Sequence, residues 1–87
     1  MAISTTAVRR ALLRKSTVLS VLGDSNTQLY EKINRGLVTR GIKIGDRAVA
    51  WPSDEVEIII NARIAGTSES DMRALVERLH AARQEAA

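Results

Sequence analysis

Residues Leu22–Gly36 read LGDSNTQLYEKINRG, and how this stretch is parsed decides the fold. Gly23 suits a helix end that needs a positive φ, and Asp24-Ser25 offers a tight turn followed by a helix cap. Upstream, Ser16 offers a hydroxyl cap for a helix through Leu22, with Val18, Leu19, Val21 and Leu22 as its apolar face. Downstream, a second helix is expected from about Ser25 to Arg35, closed by Gly36. Two short helices with so brief a link make a helix-turn-helix. Residues 1–8 show no pattern and read as a loose arm.

The segment after the second helix changes period. Gly41-Ile42-Lys43-Ile44-Gly45 alternates as a strand does, Asp46-Arg47 is prone to turn, and Ala48-Val49-Ala50-Trp51 reads as a second strand. Two strands alone are marginal in water, so this hairpin wing must lean on the helices, with Ala11–Arg14 available as a third strand. Trp51 is its natural core anchor. Pro52-Ser53-Asp54-Glu55 then signals a helix start with a Ser53 cap, and Val56, Ile59, Ile60 and Ile64 fall on one stripe. Ser68 and Asp71 open a last helix, whose stripe is Met72, Leu75, Val76 and Leu79. That stripe either folds back over the core or meets a second copy of the chain.

Composition narrows the function. The chain has 87 residues, 45% apolar, with one Trp, one Tyr, no Phe and no Cys. This suits one compact, helix-rich domain without disulfides or thiolate metal sites, and a cytoplasmic setting is expected. No apolar run approaches membrane-spanning length. The net charge of +3 conceals a division: residues 1–47 carry nine Lys/Arg against three Asp/Glu, and residues 48–87 carry four against seven. A basic front half can meet a polyanion, while the acidic back half would be kept away from one. His80 has neither Cys nor a second His beside it, so it supports no metal site and reads as a surface or interface residue. No nucleophile is paired with a base and no glycine loop cradles phosphate, so no enzyme and no cofactor are expected.

With Leu29 placed in the core, the opposite face of the second helix carries Thr27, Gln28, Glu31, Asn34 and Arg35. Small polar residues at the start of a rod fit a major groove, where Gln, Asn and Arg contact base edges through paired hydrogen bonds. Asn26, Thr27, Gln28 and Glu31 are therefore the base-contact candidates. Ser25, Tyr30, Lys32, Arg35, Arg40, Lys43 and Arg47 are the phosphate or wing candidates, with Tyr30 expected to pack beneath the turn. Arg47, at the wing tip, can instead enter the minor groove. Arg9, Arg10, Arg14 and Lys15 form either a backbone-gripping arm or solvated charge.

From Leu13 to Gly66 the chain resembles the AlpA-like prophage regulators, small MerR-like winged-helix DNA-binding proteins. The resemblance rests on GDSNTQLYEKINRG (23–36), on IKIGDRAVAWPSDEV (42–56), and on the order helix, helix, wing, helix. It implies a mainly α fold with a small β-hairpin wing, a MerR-like winged helix-turn-helix, to which the residues themselves add a C-terminal helix outside the match. The expected division is an arm at 1–10, the DNA-binding domain at 11–66, and, from the apolar stripe alone, a C-terminal helix at 67–87 for packing or dimerisation. The resemblance implies a sequence-specific transcriptional regulator of a mobile element, or an excisionase-like factor that bends a recombination site. A protein-interaction adaptor or antitoxin-like module is the alternative of another class. The expected partners are double-stranded DNA, a second copy in a homodimer or cooperative array, and an integrase or RNA polymerase, with no membrane. Two departures from the family stand out. Asp24 occupies a turn position that is usually apolar, and Leu37–Gly41 replaces a proline-bearing link, which implies a more flexible approach to the wing.

Overall fold

The computed structural model describes residues 10–85, so Arg9 and the rest of the expected arm up to that point lie outside the described residues. The elements run β1 (Leu12–Arg14), α1 (Lys15–Leu22), α2 (Asn26–Asn34), β2 (Ile42–Lys43), β3 (Val49–Pro52), α3 (Ser53–Ile64) and α4 (Glu69–Glu85). The strands form one antiparallel sheet in the order β1-β3-β2. Leu13 lies opposite Trp51, Arg14 opposite Ala50, and Lys43 opposite Val49. The hairpin thus gains its third strand from the start of the chain. The protein is a mainly α helix-turn-helix with a small β wing.

Trp51 holds these parts together. Its ring is buried with Val18, Leu29, Val38, Val56 and Ile59, so α1, α2, the link, β3 and α3 share one core. Its indole N–H donates to the Thr39 carbonyl at 2.8 Å, satisfying the one polar atom the ring brings inside. Gly41 passes directly over the ring. A Cβ there would come within 3.0–3.3 Å of three ring atoms, so only glycine fits without displacement.

Several expected details change. Ser16 does not cap α1, because β1 stays paired through Arg14 and the chain enters the helix at Lys15 straight from the strand. Ser53 does not cap α3 either, and Pro52 occupies that position. The Ser53 hydroxyl instead accepts from Ala11 N–H at 2.7 Å while Ser53 N–H donates to the Ala11 carbonyl, pinning the first strand. Ile64 is 79% exposed, since it sits at the end of α3, beyond the part of the stripe that meets the core. Ser68 does cap α4, accepting from Asp71 N–H at 3.2 Å. Met72 and Val76 are buried within the chain, and Leu79 packs on the core, so the α4 stripe folds back over its own domain. Among the described residues no helix is long and apolar enough to cross a membrane.

Candidate nucleic-acid interface

The turn between α1 and α2 is locked by charge. Gly23 ends α1 with φ of 74°, a conformation glycine adopts without strain. Asp24 follows, with a side chain only 4% exposed, and its carboxylate accepts from Lys32 Nζ at 2.7 Å and from Arg63 Nη2 at 3.1 Å. Arg63 also donates to the Leu22 carbonyl at 3.2 Å, so one guanidinium ties the end of α1 and the turn to α3. Burial alone would raise the Asp24 pKa. The hydrogen bonds and charges of Lys32 and Arg63 outweigh it and hold the carboxyl below its ordinary value. At this turn an ion cluster, and not an apolar side chain, packs the link between α1 and α2 against α3.

The start of α2 is equally fixed. Ser25 Oγ accepts from Gln28 N–H at 3.2 Å, and Gln28 Oε1 accepts from Ser25 N–H at 2.9 Å, a complete capping box. With Leu29 fully buried beneath, Thr27 and Glu31 lie about 160° away at 100° per residue, both exposed. Asn26, Gln28 and Asn34 are exposed as well. The capping box, however, takes one lone pair of the Gln28 oxygen and turns it back towards Ser25. Its NH₂ remains a pair of donors, and the oxygen keeps one lone pair, in an orientation set by the cap.

The cationic candidates divide into two groups. Lys32 is bound to Asp24, Arg35 pairs with Glu69 at 2.7 Å, and the backbone of Arg40 is held by α4. Among the described residues Arg14, Lys15, Lys43 and Arg47 form no ion pair. Arg14, Lys15, Ser16 and Arg47 converge on a cleft of about 260 Å³ between the start of α1 and the wing tip. Lys15 Nζ stands 5.4 Å from the centroid of the Tyr30 ring. That ring is 41% exposed and lies on the wing side of α2 rather than beneath the turn. Val49 lines both this cleft and the neighbouring one that Tyr30 and Arg40 share. The exposed edge of α2, Tyr30 and the cationic cleft are thus linked through the flank of the wing.

Arg14 and Lys15 belong to the domain and not to a separate arm: the pairing of β1 with β3, Arg14 opposite Ala50, sets them beside Arg47. Arg10, of the same group, pairs with Asp54 at 3.1 Å. His80, expected at a surface or interface, is half-buried and accepts from Arg40 N–H through Nε2 at 3.1 Å. Among the described residues no group of His, Cys, Asp or Glu is disposed to hold a metal ion.

A capped second helix, an exposed polar edge and a flanking hairpin define a winged helix-turn-helix. Residues 11–64 match the family model described as prophage CP4-57 regulatory protein (AlpA), and the chain belongs to that family of prophage regulators. No curated protein and no solved structure matches the chain significantly. The matched span stops at Ile64, so α4 falls outside it.

Proposed function

We propose that the protein is a sequence-specific DNA-binding transcriptional regulator that reads the major groove with α2. The observation that carries this reading is the exposed edge of α2, with Thr27 and Glu31 at its centre, anchored by Leu29 beneath and continued by Tyr30 towards Lys15, which lines a cleft with Arg14 and Arg47; among the described residues these three cations form no ion pair. Thr27 supplies a hydroxyl and a methyl to base edges, Glu31 accepts from a cytosine amine, and Asn26 reaches from the flank. Gln28 contributes through its free NH₂. Tyr30, Ser25 and the cleft cations meet phosphates, and Lys43 with Arg47 grips the backbone beside the groove. Lys32, Arg35 and Arg40 face tasks inside the fold, so their share of phosphate binding is secondary.

Binding to a duplex selected from random sequence tests the proposal, with mobility shifts at rising salt. Affinity should fall steeply with salt, and Arg47→Glu together with Lys43→Glu should lower both the affinity and the salt slope, by about one unit for each phosphate no longer neutralised. A doubly reversed variant that keeps full activity without DNA affinity would instead mark a protein-interaction module. Protection over several phased sites, rather than one operator, would mark an excisionase-like architectural role, and the same footprint counts the copies bound.

A further inference from the structure

The link Gly36–Thr39 joins the two parts of the proposed reading unit, and α4 grips it at both ends. At the near end, Arg73 Nε donates to the Arg35 carbonyl at 2.9 Å, and Glu69 pairs with the Arg35 guanidinium at 2.7 Å. At the far end, Arg40 N–H donates to His80 Nε2 at 3.1 Å, and Arg83 Nη2 donates to the Arg40 carbonyl at 2.7 Å. Arg83 is itself held by a two-pronged pair with the buried Glu55, at 2.8 and 2.7 Å. Both peptide groups of the residue that opens the wing therefore bond to side chains of one helix.

These four side chains form a pattern. At 100° per residue, Glu69, Arg73, His80 and Arg83 lie within an arc of about 80° that also takes in the buried Val76, with Met72 at its edge. Seven residues, or about 10 Å of helix rise, separate Arg73 from His80. The five residues from Arg35 to Arg40 could extend to about 18 Å, so the link lies along α4 with slack to spare; Val38 and the Thr39 carbonyl anchor its middle in the core, and the α4 contacts fix its two ends.

We propose that α4 is a brace that sets the wing against the reading helix, with His80 as the positioning residue at the wing's root. The proposal rests on the DNA-binding reading only for its consequence in affinity; the brace itself is a property of the free protein. His80 suits the role because its Nε2 accepts from the Arg40 amide while the Arg40 guanidinium lies 3.5 Å from Nδ1, so one ring meets both the backbone and the side chain of Arg40. Arg83 would be a poor probe, since removing it strands the buried Glu55.

The test combines His80→Leu, which deletes the acceptor, with His80→Gln, which retains an uncharged acceptor oxygen. In amide hydrogen exchange of the free protein at pH 7.5, Arg40 should lose protection by about fivefold or more in His80→Leu and keep it in His80→Gln, while amides within α2 stay unchanged. On a duplex selected from random sequence by the wild type, His80→Leu should bind about fivefold more weakly and lose backbone protection on the wing side only, with His80→Gln restoring both. Unchanged Arg40 exchange in His80→Leu overturns the brace, as does equal loss of protection in α2, which would signal general loosening. If the wild type binds no duplex, the DNA reading falls while Arg40 exchange still decides the brace.

Discussion

Replacing Asp24 by asparagine removes one charge from the most enclosed ion cluster around the turn. The Asp24 side chain is 4% exposed, whereas Lys32 and Arg63 are 31% and 26% exposed. A hydrogen bond to a charged group is worth about 1.5–3 kcal/mol, and breaking a fully buried ion pair costs about 3–5 kcal/mol. Here both cations retain partial access to water, which lowers the cost of stranding them, so a loss of about 2–3 kcal/mol is expected. For a domain of this size that corresponds to a fall in Tm of roughly 10–20 °C. The dependence on pH has a definite sign. The folded carboxyl titrates below its ordinary value of 3.8, so its contribution is complete above that value and disappears as pH falls through the lower folded one. Thermal unfolding followed by circular dichroism at pH 7 and pH 2.5 should show a large gap between wild type and Asp24→Asn at the higher pH and a much smaller one at the lower. A gap below about 0.5 kcal/mol at pH 7, the level of an ordinary surface substitution, would mean that the cluster does not hold the turn.

Thr39 is fully buried, and its hydroxyl oxygen has no partner among the described residues. Thr39→Val keeps the shape and removes the unmet polar group, so urea unfolding should show a gain of about 1 kcal/mol. Gly41→Ala drives a methyl group against the Trp51 ring, and the same assay should show a loss of about 1–3 kcal/mol with a shifted tryptophan emission. His80 should make stability fall on mild acidification. Burial and then the nearby charges of Arg40 and Arg83 hold its pKa below 6.5, against the opposing pull of Glu55, and Glu77 lines the same cleft. The unfolded chain therefore binds the extra proton first, and stability present above pH 6.5 declines below it. Between pH 7.5 and pH 5 the Tm should fall more for wild type than for His80→Gln.

The parts of this protein legible in its sequence are those governed by neighbours along the chain. The Ser25 cap, the Leu29 anchor and the alternating wing strands each follow from a period or a spacing of a few residues, and Trp51 was legible as the one large ring. Features set by distant partners were not. Asp24 meets Lys32 and Arg63, eight and thirty-nine residues away, and nothing local distinguishes it from an ordinary turn aspartate. The Ser16 and Ser53 caps failed because strand pairing had already fixed the backbone before each helix. The polar stripe of α4 is illegible because its targets are largely peptide groups some forty residues away, which leave no mark on residue type. The link to the wing, expected to be loose without its prolines, is held from outside by side chains instead of from within by stiff residues.

The DNA-binding reading stands or falls on whether the exposed edge of α2 meets bases. Affinities of wild type, Thr27→Ala and Glu31→Gln should be measured against a selected duplex and its complete set of single base-pair variants. Each substitution should erase discrimination at one or two neighbouring base pairs, on the order of 1–3 kcal/mol, while preferences elsewhere persist. A uniform loss across every duplex, or none at all, would show that this edge does not read sequence.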